Sequence, residues 1–542
     1  MGGTHTDGVL LYQGQVLSSK KVLTDENNVT GTIIDLLSHL MEGQDKNALR
    51  RIVLSTTLVT NLLSKNQETQ AGLFIIPGLG APKNLVTSVV KNVYAAQCGY
   101  VDHRGVVIEP LNVADLEQAA TFFSEKGLKS VCVVGKFSVR NHELEKKAAL
   151  YFRSKGFEVF EGASYSGKLN FPRRAFTTYL SAIIFHKYQE SLGSIQKGVR
   201  GLDLKAPLYI LKADGGAVLL SDSLKNPVES ILSGPAASIM GAFFHHKEMR
   251  EGDTLVFDIG GTTTDLGFFI NGVPILEPEG IKIKEFNTLI RALKVFPLAV
   301  GGDTLFRFID RQVILDNKRE GVAYLFGGPR ATLTDVLAFL DQGNAKSGEG
   351  LKRDLGAGFE AKLVRIKEAL KDFLKGQVDQ YLALINDRPI YTVNEFFQKK
   401  IFCPRRIFLV GGGAPYFKSV MEEAFGIPVL IPEVAGYCNA LGAALSKVTA
   451  EVNLFANTAD GKCSIPELNY YQPVVRNFSL SDAKELSLTK LQELLEQKGI
   501  DLNERLEVTE AQSFNMVRGF SSVGKSIRVK AQVKPGLMEQ KY

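Results

Sequence analysis

Three short stretches carry the residues that could do chemistry. The first is Thr254-Leu255-Val256-Phe257-Asp258-Ile259-Gly260-Gly261-Thr262-Thr263-Thr264-Asp265. An apolar run ends in an acid, two glycines and three threonines follow, and a second acid closes the stretch. The run reads as a buried strand. The glycines let the backbone turn sharply and come close to a ligand. Backbone N–H groups and threonine hydroxyls suit phosphate oxygens, and Asp258 and Asp265 are hard oxygen donors suited to Mg2+. The second stretch, Gly2-Gly3-Thr4-His5-Thr6-Asp7, matches residues 260–265 at five of six positions, at a constant offset of 258 residues. The third, Gly411-Gly412-Gly413-Ala414-Pro415, follows the apolar run Ile407-Phe408-Leu409-Val410. A strand that runs through glycines into a helix start combines backbone donors with a helix N-terminus, a good nucleotide contact. A plain Gly-Thr hairpin accounts for the first stretch taken alone. Its repetition favours two related lobes gripping one nucleotide.

The repeat extends beyond the loops. Gln13-Gly14 aligns with Asn271-Gly272, and each pair follows a short apolar run, Val9 to Tyr12 or Phe268 to Ile270. Each copy therefore reads as loop, strand, tight turn, strand. Asp258 maps to the position before Met1. The first copy is thus expected to lack both its acid and its incoming strand, leaving a sheet edge unpaired and the metal-directed chemistry on the second hairpin.

The rest of the chain must position these stretches. At 542 residues it is too long for one core. Spacing predicts a helix over residues 31–41, a strand opening at Arg51, a strand over 71–77, a helix over 116–126, a strand over 130–134, a helix over 142–155 and a short strand over 157–160. This alternation implies a mostly parallel sheet covered by helices. A long helix with Pro172 in its first turn is expected over 172–190. Small-residue helices follow at 236–244 and 436–444, suited to close packing. Residues 341–375 read as a mobile polar loop before a charged helix, 481–498 as an amphipathic helix capped by Ser481 or Asp482, and 514–529 as short strands. The reading is an α/β chain of three parts: an N-terminal lobe over 1–200, a second lobe over 201–450 and a small α+β appendage over 451–542.

Composition excludes more than it selects. The formal net charge is only +6 and no basic cluster stands out, so nucleic-acid binding is not expected. No run approaches the roughly 18 apolar residues of a membrane span, and no leader pattern is visible. Five scattered cysteines without a CxxC read as reduced thiols of a cytoplasmic protein.

Taken in order, GGTHTDGVLL at the start, STTLVTN from Ser55, RRAFTTYLSA from Arg173, DGG at Asp214, SGPAASIMGA from Ser233, DIGGTTTD from Asp258, GGDTLF from Gly301, GGPRATLTD from Gly327, GGGAP from Gly411 and AGYCNALGAA from Ala435 resemble the hydantoinase A and 5-oxoprolinase family, over roughly residues 1–447. The resemblance implies the two-lobed ATPase fold shared by actin, sugar kinases and heat-shock chaperones. It also implies ATP and Mg2+ as cofactors, a small cyclic amide as substrate and a separate B-type subunit as partner. ATP would phosphorylate the amide oxygen and the ring would open with water. Gly260, Gly261, Thr262, Thr263 and Thr264, with Gly2, Gly3, Thr4 and Thr6 from the other lobe, would hold phosphates. Asp258 and Asp265 would orient the metal, and Asp7 would assist. Gly411, Gly412, Gly413 and Ala414 would face the adenosine, and Gly301 and Gly302 would add a further contact. Two rivals stay open: a small-molecule kinase of the same superfamily, and a non-catalytic ATP-binding regulatory subunit. His5 is a candidate phosphate or substrate contact, His245-His246 a helix-end pair, and Arg173 and Arg174 either an anion site or, preferably, a solvated helix start.

Overall fold

The internal repeat persists as backbone geometry. Gln13 and Gly14 have φ of 49° and 78°, and Asn271 and Gly272 have 49° and 77°. Two successive positive φ values make the tight turn whose twist matches antiparallel strands. The first turn joins His5–Tyr12 to Gln15–Leu23, and the second joins Thr264–Ile270 to Val273–Pro274. The computed structural model describes residues 5–25, 28–65, 69–80, 84–243, 251–277, 279–310, 312–316, 318–356, 358–387, 401–498, 500 and 506–538. The stretches Gly2 to Thr4 and His245-His246 lie outside the described residues.

The first lobe is built on a parallel sheet in the order Val93–Ala95, Ala71–Ile76, Ser130–Gly135, Glu158–Glu161. Its two central strands, Ala71–Ile76 and Ser130–Gly135, are buried along their whole length because both faces are covered. Helices Val113–Glu125 and Glu143–Ser154 pack on one side through Phe123, Ala148 and Phe152. The helix Phe171–Gly201 packs on the other through Leu180, Ile184 and Tyr188. That core does not stop at residue 200. Leu208–Leu211 pairs in parallel with Ile52–Leu54, and Leu220, Val228 and Ile231 belong to the same cluster. The boundary expected at 200/201 therefore falls inside one packed unit. Among the described residues, His5–Tyr12 pairs with Gln15–Leu23 alone.

In the second lobe the order is Val273–Pro274, Thr264–Ile270, Asp253–Ile259, Pro404–Val410, Val429–Leu430, with Val295–Leu298 beside Thr264–Ile270. Helices Leu333–Gln342, Phe359–Asn386 and Ala414–Phe425 cover one face. Residues 345–355, expected as mobile loop, are helical because the Asn344 side chain caps Ser347 N at 3.0 Å and Gly350 and Leu351 are buried. The C-terminal unit is a five-stranded antiparallel sheet against the helix Leu480–Gln497. Ser479, not Ser481, caps that helix, reciprocally with Asp482. Its last two strands, Leu506–Arg518 and Ser521–Val533, are much longer than the short strands expected. No described helix is long and apolar enough to cross a membrane.

Two contacts hold the units together. Helices Ser233–Gly241 and Cys438–Leu445 cross backbone to backbone: a Cβ on Gly442 would overlap the Ala237 carbonyl, and one on Gly241 the Cys438 carbonyl. Separately, residues 275–294 leave the second sheet and dock on the first lobe. There Arg173 donates to the carbonyls of Glu279, Gly280 and Thr288. Arg291 forks onto Asp214 at 2.7 and 3.0 Å and reaches Gln532 of the C-terminal unit. Despite desolvation, Lys212 and Arg291 hold Asp214 down at about 2.

Gly442→Ala is expected to cost about 1–3 kcal/mol, because the crossing must open by the width of a methyl. Gly193→Ala, in the open on the helix Phe171–Gly201, should be neutral or stabilising. Denaturant melts of both variants check this, and equal midpoints would refute the close crossing. A second expectation concerns pH. Glu467 accepts from Gly167 N of the first lobe and from Asn453. Burial pushes its carboxyl up to about 7. A carboxyl raised above its unfolded value, about 4.3, binds its proton more tightly in the folded state. Its contribution is therefore lost as pH rises through 7. Between pH 5 and 8 the natural chain should lose melting temperature relative to Glu467→Gln; parallel profiles would sink the assignment.

Candidate functional site

Asp253–Ile259 is the middle strand of the second sheet because Leu255, Val256, Phe257 and Ile259 are buried on both faces. It lies antiparallel to Thr264–Ile270 and parallel to Pro404–Val410. The parallel pair ends at one sheet edge, and there it releases two glycine loops, 260–263 and 411–413. The carboxyl edge of parallel strands is where open α/β sheets take ligands.

The first loop closes on itself through Gly260 N to Thr263 O, 3.0 Å. The amides of Gly261, Thr262 and Thr263 donate to no acceptor among the described residues. Gly260, Gly261 and Thr263 are exposed and Thr262 is half-buried. Thr264 differs: it is buried, and its hydroxyl donates to Val300 O at 2.8 Å. Behind the loop, Gly302 N donates to Gly260 O at 2.9 Å, Asp303 N to Gly261 O at 2.6 Å, and Gly301 N to the Thr304 hydroxyl at 2.8 Å. The amides of Gly302 and Asp303 thus brace the loop from below, and that of Gly301 closes its own turn onto Thr304. In the second loop, Gly411 N donates to Ala435 O and Gly413 N to Ile259 O, both at 3.1 Å. Ala414 is buried, while Gly412 is exposed with open space around it. Gly411 has φ +86°, and a Cβ there would lie 2.5 Å from Asp258 Oδ1.

Asp258 and Asp265 are direct cross-strand partners, so their side chains emerge on one face. Burial, and then Asp258, push Asp265 up to about 7. Burial raises Asp258 too; the nearby Ser238 hydroxyl and Lys21 oppose the rise, and Asp7 adds to it. Asp7 comes from the first hairpin and has its own cation, Lys21 Nζ at 3.3 Å. Lys21 also donates to Gly436 O at 3.2 Å, tying the hairpin to the loop ahead of the helix Cys438–Leu445. Thr6 is buried against the Thr24 hydroxyl at 2.9 Å, and His5 is exposed. Among the described residues no three His, Cys, Asp or Glu side chains form a group that could hold a metal.

Several participants were not visible in sequence. Ser238 and Asn439 sit on the crossing helices, where Asn439 donates to Gly234 O at 3.0 Å and to Ser238 Oγ at 3.4 Å. The small-residue character of SGPAASIMGA announced the crossing but not the hydroxyl that reaches Asp258. Lys21 lies on a strand with no motif. Arg174, expected at a solvated helix start, is fully buried; it donates to Lys168 O and Gly135 O and neutralises buried Glu145. Neither it nor Arg173 is an anion site, because backbone carbonyls take their guanidinium groups.

A hydantoinase/oxoprolinase family model matches residues 174–452, and the model of the hydantoinase/oxoprolinase N-terminal region matches 1–156. The chain is 24% identical over 375 residues to an uncharacterised protein of Methanocaldococcus jannaschii, covering 64% of this chain and 54% of that one. It is also 24% identical over 367 residues to caprolactamase subunit alpha of Pseudomonas jessenii, covering 65% and 52%. The matches thus span about half the length of these curated relatives. The fold is shared with nucleotide-free acetone carboxylase, with a TM-score of 0.67 and 16% identity over 99% of this chain and 87% of that one. It is shared equally with the ATP-dependent caprolactamase of Pseudomonas jessenii, with a TM-score of 0.68 and 17% identity over 98% and 86%. With more than half of its length under the first of these models, and the motif order kept, the chain belongs to the hydantoinase/oxoprolinase family.

Proposed function

We propose that this chain is the ATP-binding subunit of a hydrolase that opens a small cyclic amide of the hydantoin or 5-oxoproline type. One observation carries the reading: an exposed loop of undirected amides, Gly261 to Thr263, stands beside two carboxylates that repel each other. Amides aimed outward suit phosphate oxygens. Two close carboxylates, of which Asp265 feels no basic side chain, suit Mg2+, which takes one or two carboxylates and fills its shell with water and phosphate. Asp258 and Asp265 would hold the ion, which supplies charge neutralisation at the transferred phosphoryl group.

The chain's own residues then act by placement. Gly260 to Thr263 grip the β- and γ-phosphates; Gly2, Gly3 and Thr4, outside the described residues, would add the contacts of the first copy, while Thr6, buried on the Thr24 hydroxyl, braces its hairpin instead. Thr264, Gly301 and Gly302 keep the loop rigid. Asp7, neutralised by Lys21, closes the first hairpin over the site. Gly411 to Ala414 face the adenosine, where Gly412 is exposed with open space around it. The amide oxygen takes the γ-phosphoryl group as the bond to ADP breaks. Water adds to the activated carbon, the C–N bond breaks, and a second water releases phosphate from the acyl phosphate. Positioning and charge account for such transfer. The caprolactamase relative is named as an alpha subunit, which supports a B-type partner here, working in the cytoplasm where ATP is supplied.

The test is product analysis with Mg-ATP, a panel of lactams, hydantoins and 5-oxoproline, and a co-expressed B-type subunit. Ring-opened acid with ADP and phosphate is the expected outcome. A stable phosphorylated substrate would instead identify a kinase, and nucleotide binding without turnover a regulatory subunit. In the active complex Asp258→Asn should lower turnover by about a hundredfold or more, as expected when metal placement fails. Gly411→Ala should lower it as well, by pressing a methyl onto the Asp258 carboxylate. Unchanged turnover in both variants would remove the carboxylate pair from the mechanism.

A further inference from the structure

A cation, Arg319, sits near the phosphate loop, paired with the buried carboxylate of Asp303. Asp303 is buried directly behind Gly261, where its Oδ2 fills the space that a Cβ on Gly261 would take. Its Oδ1 accepts from Ala323 N at 3.2 Å, and its Oδ2 meets the guanidinium of Arg319 at 3.0 Å. Arg319 therefore stands one carboxylate away from an exposed amide of the loop. It is not on a loose end. The segment that carries it is tied down at Ala323 by Asp303, and at Tyr324 and Leu325 by Asp335, which accepts from their amides at 2.9 and 2.8 Å. Its side chain keeps a third of its surface open to solvent, and a guanidinium has five donors, of which Asp303 engages one edge.

We propose that Arg319 is a phosphate-binding residue of this site, contacting the terminal phosphoryl group of the nucleotide while Asp303 fixes its position. The proposal rests on the nucleotide reading given above and adds to it the group that senses the third phosphate. The chemistry favours the terminal position. The loop amides are neutral donors, and Lys21 is already shared between Asp7 and Gly436 O. Asp258 and Asp265 add negative charge of their own. A planar cation with donors to spare answers the charge that spreads over the equatorial oxygens during transfer. Pairing with Asp303 also explains why a buried carboxylate sits beneath a loop meant for anions: Arg319 cancels its charge, so the loop itself stays electropositive.

A purely structural Arg319 would serve only to neutralise Asp303, and that alternative makes different predictions. The experiment measures MgATP and MgADP affinities by calorimetry, together with melting temperature and turnover in the two-subunit complex. The variants are Arg319→Met and Arg319→Lys. Arg319→Met should weaken ATP about tenfold or more, equal to about 1.4 kcal/mol. It should weaken ADP less than about threefold and lower kcat about a thousandfold or more, in the range of arginine groups that meet the transferred phosphoryl. Arg319→Lys keeps the charge beside Asp303 and should keep the melting temperature, yet it should still lose discrimination for ATP, because Lys offers no planar fork. Equal losses for ATP and ADP, or full rescue of ATP affinity by Lys, would overturn the proposal in favour of the structural role. Unchanged ATP affinity in both variants overturns it while leaving the nucleotide reading intact. Failure of the unaltered chain to bind either nucleotide removes both.

Discussion

The crossing of Ser233–Gly241 over Cys438–Leu445 is the constraint on which the rest depends. Two backbones touch where any side chain would keep them apart. Each helix is the continuation of a different part of the site. Ser233 holds the turn at Thr56 through both its hydroxyl and that turn's amide, at 3.0 and 3.2 Å. Ser238, one turn on, reaches Asp258. Asn439 spans the crossing to Gly234 and Ser238, and Gly436, just before its helix, receives Lys21 from the first hairpin. A separation of one methyl at the crossing would therefore move the strand end, the hairpin and the opposing lobe together. Close-packed cores transmit strain, so the crossing couples these parts of the site rigidly.

The docking of residues 275–294 complements that crossing. This segment interrupts the third strand of the second sheet, leaving Val273–Pro274 and Val295–Leu298 as its two pieces. It places Ile281, Phe286 and Ile290 in or against the first lobe's core. Arg291 is then shared between Asp214, Gln532 and Glu451, at 3.2 Å for the last. Removing one partner from such a buried group leaves a charge uncompensated, so three units are coupled through a single guanidinium. Apolar burial supplies the affinity of the segment, and the ion network fixes its register.

The architecture was largely legible in sequence because it repeats. Residues 13–14 and 271–272 keep matching φ values, so the offset of 258 residues marked equivalent backbone and not chance. The strands over 71–76 and 130–135 were readable from unbroken apolar runs, and the GGG turn from its place after such a run. What escaped were contacts made by isolated polar side chains at long range. Ser238, Lys21, Arg174 and Arg319 carry no local signature, since their partners lie on elements that only the tertiary fold brings near. Asn344 was read as a loop residue and is a cap, because Asn serves both purposes. The C-terminal hairpin, expected as short strands over 514–529, is extended by continuous cross-strand pairing from Leu506 to Val533.

The two hairpins are equivalent in backbone and unlike in charge, and that difference assigns their roles. Asp7 in the first copy has Lys21 on the adjacent strand, so its charge is balanced within the hairpin. The equivalent Asp265 faces another carboxylate, with no basic side chain among the causes that set its protonation. Two carboxylates on adjacent strands, both raised by burial, destabilise each other until a cation or a proton arrives. A protein that needed only a stable turn at this place would gain by neutralising either one, as the first hairpin does. Retention of the repulsion at one copy and its relief at the other sets the two hairpins apart in charge and fits the ion site proposed at Asp258 and Asp265.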